Sequence, residues 1–286
     1  MTCSPAVVAV SAKRRTQDAW GTARDASGRL QAAWVLDGAT ALGAQDPRSA
    51  DEQVARFAWR LSAALRAILA DADAGARARS QPLHQIVEAA RADAQRSIEI
   101  GWPGAEIPTT TLSLIRRTAQ GLECFVLGDS PVWLEDGGQI LEVVDPQFAG
   151  GDARVLRRWH ELRAQGRSAE AAYAELLEAQ VRDRRTRSTE DGLWILGGSP
   201  QAAQHARVEL IPGAEQRRVC LLTDGMERVV DPFAITGRRG LFEALQSGSA
   251  GSLAQSLRGL ERADPRRVRA PRMTVHDDIT GLAITL

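Results

Sequence analysis

The chain has 286 residues, 44% hydrophobic and 25% charged, with Lys+Arg and Asp+Glu both at 36. That composition suits one large globular domain or two small ones. A formal net charge of zero argues against a general nucleic-acid binder, which needs a basic surface, and the absence of any run near 18 apolar residues argues against a transmembrane helix.

Ala6 to Ala12, rich in Val and free of breakers, predicts a first strand. Leu30 to Leu36 predicts a second, ending sharply at Asp37-Gly38. Ser49 and Glu52 have the spacing of a capping box, and Val54, Phe57, Ala58, Leu61, Leu65, Ile68 and Leu69 then recur at helical spacing. After a polar break at Asp71 to Ser80, a second long helix is expected from Pro82 to Ile98. Thr109 to Ile115 and Leu122 to Leu127 read as neighbouring strands joined around Gln120-Gly121. Val132 to Leu134 and Gln139 to Val144 flank Asp136-Gly137, a hairpin signal. Residues 150–200 break the strand rhythm with two charged helical stretches, Val155 to Ala164 and Ala169 to Val181. This region reads as an inserted flap on a single domain spanning 1–286, too short and polar to hold a core of its own. Strands resume at Val208 to Ile211 and Arg218 to Leu222, helices at Leu241 to Leu245 and Ser252 to Arg262, and Ile279 to Leu286 closes the chain. Runs of antiparallel strands separated by a pair of helices fit two packed sheets with helices outside, not a βαβα alternation.

Cys3, Cys124 and Cys220 form no CxxC pair, which disfavours a zinc site or disulfide framework. Cys124 and Cys220 lie in apolar runs and read as small buried hydrophobes. Lys13 is the only lysine, a bias that reads, with the many alanines, as that of a GC-rich bacterial genome. No basic segment followed by an apolar stretch opens the sequence, so a soluble cytoplasmic protein is expected, with neither membrane nor nucleic acid as partner.

The chemistry is carried by apolar strands that end in acids. Ala32-Ala33-Trp34-Val35-Leu36-Asp37-Gly38, Val219-Cys220-Leu221-Leu222-Thr223-Asp224-Gly225, Thr274-Val275-His276-Asp277-Asp278 and Cys124-Phe125-Val126-Leu127-Gly128-Asp129 share this pattern. A carboxylate at a buried strand end is costly unless paired or bound to a cation. Converging carboxylates repel one another, and hard divalent cations such as Mg2+ or Mn2+, which prefer oxygen ligands, relieve that repulsion. A lone Asp-Gly is usually only a turn; four acid-ended strands in one chain are a pattern.

In order and spacing these motifs resemble the protein phosphatase 2C family of metal-dependent Ser/Thr phosphatases. The resemblance runs through Lys13-Arg14-Arg15-Thr16-Gln17-Asp18, Val35-Leu36-Asp37-Gly38, Thr109-Thr110-Thr111 with Gly128-Asp129-Ser130, Leu221-Leu222-Thr223-Asp224-Gly225 and Asp277-Asp278-Ile279-Thr280, and covers nearly the whole chain from residue 6. It implies an α+β fold, a four-layer α-β-β-α sandwich of two antiparallel sheets flanked by helices. It implies two Mn2+ or Mg2+ ions and a weaker third. Asp37 would bridge two metals, the carbonyl of Gly38 would touch one, and Asp224 and Asp277 would bind the other. Asp129 would serve the third, with Asp278 near it and Asp18 in the acidic motif of the cluster. Lys13 or Arg14 would hold the phosphate. A water activated between two metals would attack phosphorus in line, with no phosphoenzyme. The expected substrate is a phosphorylated protein, the product of a Ser/Thr kinase.

The chain departs from the family pattern at Gln17, where a Glu is common, at Pro131, where an Arg is common, and after Gly38, where Ala39-Thr40-Ala41-Leu42-Gly43 replaces a glycine-rich stretch and no His follows. These departures keep open an alternative, a pseudophosphatase acting as a binding module. An Asp-nucleophile phosphatase would want Asp-x-Asp after an early strand, which Asp37-Gly38-Ala39 does not supply, and a kinase would want a glycine-rich phosphate loop before its lysine. His276, next to Asp277 on one strand, is expected to point to the opposite face. Arg266, Arg267, Arg269 and Arg272 read as a solvated loop.

Overall fold

The computed structural model describes residues 5–12, 15–39, 46–70, 81–103, 107–148, 151–213 and 217–286. Lys13, Arg14, Cys3 and the polar break from Asp71 to Ser80 lie outside the described residues. Among the described residues, ten strands form two antiparallel sheets. They are β1 (Ala6–Val10), β2 (Ala19–Arg24), β3 (Leu30–Gly38), β4 (Thr110–Arg117), β5 (Gly121–Leu127), β6 (Val132–Asp136), β7 (Gln139–Val143), β8 (Arg207–Pro212), β9 (Arg218–Leu222) and β10 (Ile279–Thr285). One sheet runs β1-β10-β9-β6-β7 and the other β2-β3-β4-β5-β8. The helices are α1 (Pro47–Ala70), α2 (Leu83–Gly101), α3 (Gly151–Ala164), α4 (Ala169–Arg185), the short α5 (Asp224–Glu227), α6 (Arg238–Gln246) and α7 (Ala250–Ala263).

Alternation along β3 explains the layering. Ala32, Trp34 and Leu36 point into a core shared with α1 and α2, while Ala33 and Val35 point into the core between the two sheets. With successive side chains on opposite faces, one strand feeds two cores. A third core, around Trp133, Leu222, Met226, Phe242 and Leu257, joins the first sheet to α6 and α7. Three apolar layers between four of secondary structure make the α-β-β-α sandwich expected from the sequence. Cys124 and Cys220 are fully buried in it, and burial pushes both thiols up to about 12, as for inert core cysteines.

Three local readings change. Strand β2 is absent from the sequence reading, because Ala-Trp-Gly-Thr-Ala-Arg shows little apolar alternation; its Gly21 exists for packing, since a Cβ there would lie 2.3 Å from the Trp34 ring. Helix α1 begins two residues before the supposed capping box. The Asp46 carboxylate accepts from the backbone N–H of Arg48 (3.1 Å) and Ser49 (3.3 Å), so Asp46 caps with Pro47 just inside. The flap does hold a small core of its own: Trp159, Leu162, Ala169, Ala172, Tyr173 and Leu176 pack between α3 and α4, with Met273 of the main body against them. The Tyr173 hydroxyl donates to the Arg267 carbonyl (2.6 Å) and accepts from the Arg272 N–H (3.3 Å), and Arg267 lies 3.7 Å over the Tyr173 ring. The arginine run is therefore partly a docking seat; Arg272 is buried against Asp264 at 3.0 Å.

A candidate metal-carboxylate cleft

Three of the acid-ended strands and the segment before β10 meet at one end of the sandwich, where both sheets and the flap border a cavity of about 320 Å³; Thr274 to Asp278 is not the strand expected, and its acids precede β10. Asp37 ends β3, Asp129 follows β5, Asp224 follows β9 and Asp277 precedes β10, and all four line this cavity. Asp18, just before β2, and Asp278, beside Asp277, are buried behind it. The Thr-Thr and Gly-Asp-Ser motifs meet directly: the Thr111 and Ser130 hydroxyls are hydrogen-bonded at 2.8 Å, and the Thr110 hydroxyl donates to the Asp37 carbonyl at 2.7 Å.

Glycine is required twice at the floor. A Cβ on Gly38 would sit 2.6 Å from Val54 Cγ1 and 2.7 Å from the Gln17 carbonyl. A Cβ on Gly225 would sit 1.8 Å from the Asp278 carbonyl oxygen. These contacts pull the two Asp-Gly turns against the opposing chain, so that strands far apart in sequence present their carboxylates together.

Repulsion within the cluster is large. Burial, then the neighbouring Asp224, Asp18 and Asp277, hold the Asp37 carboxyl well above the usual carboxylate range. Burial, then Asp278 and, more weakly, Asp277 and Asp224, does the same for Asp18. Asp18 Oδ2 accepts from the Thr223 hydroxyl (3.0 Å), but Asp18 Oδ1 and Asp224 Oδ1 are buried with no hydrogen-bond partner. Buried orphan carboxylate oxygens among other carboxylates are what a hard cation satisfies; this donor set, all oxygen, fits Mg2+ or Mn2+. Among the described residues no three acidic, His or Cys side chains converge as a finished cage; the carboxylates form an array along the cleft.

Two acids are tied to protein groups. Asp278 Oδ1 accepts from the Ser11 hydroxyl (3.1 Å) and the Ala12 N–H (2.6 Å), and Oδ2 from the Gln17 N–H (2.6 Å), so Asp278 pins the segment after β1. Asp277 Oδ2 accepts from Arg228 Nη2 (2.7 Å) and the Thr274 hydroxyl (3.0 Å). Burial opposes the charge of Arg228, yet Asp277, Asp224 and Glu261 outweigh it and hold the guanidinium above its usual value. Glu261, fully buried in α7, also takes Arg258 (2.6 Å) and His276 Nδ1 (2.9 Å). His276 thus belongs to a charged network behind Asp277. Gln17 is buried, its amide donating to Asp51 at 2.9 Å.

Sequence reading missed Arg228, Glu261 and the flap arginines Arg184 and Arg187, which line the cavity. Arg228 follows Asp224 by four residues, one helical turn, and that spacing was the available signal. Nothing in the sequence marks Glu261. Lys13 and Arg14, expected to hold phosphate, lie outside the described residues.

Residues 9–261 match the family model described as Protein phosphatase 2C. The Mycobacterium tuberculosis serine/threonine phosphatase PstP/Ppp is similar in fold at 16% identity, with 99% of this chain and 98% of that one covered and a TM-score of 0.55. PppA, a regulatory component of type VI secretion in Pseudomonas aeruginosa, is similar at 15% identity, 99% and 97% coverage and a TM-score of 0.54. The catalytic domain of PstP in complex with two manganese ions is similar at 16% identity, 98% and 96% coverage and a TM-score of 0.52. Comparison with curated protein sequences gives no match.

Proposed function

This chain belongs to the protein phosphatase 2C family of serine/threonine phosphatases, and we propose that its carboxylate cleft hydrolyses phosphoserine and phosphothreonine in proteins with two divalent cations, opposing a Ser/Thr kinase. Asp37, the Gly38 carbonyl, Asp224 and Asp277 would hold the pair, with Asp18 adding charge behind them. When bound, such ions lower the pKa of a water toward neutrality and offset charge on the phosphoryl oxygens. The observation that supports this reading best is the pair of buried, unpartnered oxygens on Asp18 and Asp224.

The chain's own residues set the geometry. Arg228 orients Asp277, and Glu261 orients Arg228, the arrangement by which outer partners fix a ligand. Asp278 anchors Ala12 and Gln17, which precede and follow in sequence Lys13 and Arg14, the residues proposed to meet phosphate. Asp129 is the proposed weaker third position, and two guanidinium groups whose charge it stabilises weaken a cation there. No helix among the described residues is long and apolar enough to cross a membrane.

The test is hydrolysis of p-nitrophenyl phosphate and a phosphothreonine peptide with Mn2+, with Mg2+ and with EDTA, beside Asp224→Asn. Turnover should require metal, and the variant should lose more than the roughly 10–100-fold typical of outer-partner changes. No turnover by folded protein with either ion would leave a metal-poor binding module as the reading.

A further inference from the structure

The cavity has walls of opposite sign. Its floor carries Asp37, Asp224 and Asp277, and its flap side carries Arg184, at the end of α4, and Arg187, just beyond it. Four arginines line the cavity among the described residues. Arg228 is paired with Asp277 and Glu261, and Arg272 with Asp264. Arg187 differs, because its Nη1 is buried with no hydrogen-bond partner.

Burial pushes both flap guanidinium groups down, Arg184 to about 10, and the charge of Arg187 adds to the effect on Arg184; Asp129 opposes it in both. The two guanidinium groups share this wall with Asp129 and, at Arg187, with Asp183, yet Arg187 Nη1 stays buried without an acceptor. A buried donor lacking an acceptor is costly, and an anion with several acceptor oxygens removes that cost. Guanidinium is suited to this because its planar fork meets two phosphoryl oxygens at once. A cavity of about 320 Å³ between the acidic floor and this wall accommodates a phosphorylated side chain.

We infer that Arg187, with Arg184 beside it, forms an anion subsite on the flap that binds the phosphoryl group of the substrate, and inorganic phosphate as product, from the side opposite the carboxylates. The inference rests on the phosphatase reading of the same cavity. It makes the flap part of the substrate site and Arg187 a specificity-determining residue that touches the phosphoryl group transferred to water.

The test measures binding of inorganic phosphate by calorimetry to the full chain in Mn2+, for wild type, Arg187→Ala and Arg187→Lys, with melting temperature and Mn2+ affinity recorded for each. Phosphate affinity should fall about 10–100-fold in Arg187→Ala and less in Arg187→Lys, with Mn2+ affinity unchanged. In turnover, KM for a phosphothreonine peptide and the inhibition constant of phosphate should rise together by the same factor. Equal phosphate affinity in wild type and Arg187→Ala, or no phosphate binding by the wild type, overturns the inference. Arg187→Lys serves if Arg187→Ala does not fold, and full affinity in Arg187→Lys at unchanged KM likewise overturns bidentate recognition. The phosphatase reading fails separately, by absence of metal-dependent turnover in the wild type.

Discussion

Asp37 shows how one carboxylate links stability to chemistry. Its folded-state pKa is raised by burial and then by Asp224, Asp18 and Asp277. Between the ordinary carboxylate value and that raised value, the folded state holds a proton that the unfolded state has lost. Lowering the pH through this window therefore stabilises the metal-free fold, and raising it destabilises. Asp37→Asn should accordingly melt a few degrees above the wild type at pH 7.5 in EDTA, with the gap closing toward pH 4.5, as followed by calorimetry. The order should invert in Mn2+, where the wild type gains ligand-linked stability that the variant lacks. A wild type as stable as the variant in EDTA at pH 7.5 would show that the repulsion is relieved in some other way. Protons compete with cations for Asp18 and Asp37, so Mn2+ affinity should also fall on acidification.

The strand ends explain why the acids occur as Asp-Gly. After β9, the chain turns directly into α5 with Gly225 against the Asp278 carbonyl at a distance no side chain tolerates. Gly225→Ala should therefore separate β9 from the segment before β10, costing about 1–3 kcal/mol or more by urea denaturation and displacing Asp224 from Asp277. The hairpin of β6 and β7 is a contrast: Gly137 and Gly138 at φ +54° and +80° make a two-residue turn with open space around both, so their role is conformational alone. That hairpin was legible as Asp136-Gly137 between apolar runs. Strand β2 was not, because its partner Trp34 and the serine that accepts from the Trp34 indole, Ser62 at 2.9 Å, lie elsewhere in the chain.

The molecule closes its site with parts from both ends of the chain and from the flap. Asp278 ties Ala12 and Gln17 to the last strand, and Tyr173 ties the flap to the segment before Asp277. Tyr173→Phe removes a donor and an acceptor at once. It should loosen flap docking by about 1 kcal/mol, a roughly fivefold rise in hydrogen exchange over 151–185. Exchange in β4 and β9 should be unaffected. Equal change in the sheets would mean that the flap and the sandwich unfold as one unit.

The alternation of apolar residues, the breaks between runs and the acids at strand ends are local in the chain, because strand pleat and turn chemistry act within a few residues. They sufficed for the two-sheet architecture, most strand limits and the carboxylates Asp37, Asp129, Asp224 and Asp277. Which charges face one another is decided by contacts between residues far apart. Only the folded chain could place Arg228 on Asp277, bury Glu261 among Arg228, Arg258 and His276, engage both oxygens of Asp278 with the segment after β1, and bring Arg184 and Arg187 to the wall opposite the acids. Burial and pairing, which set the energy of each charge, belong to the packed structure rather than to any stretch of sequence.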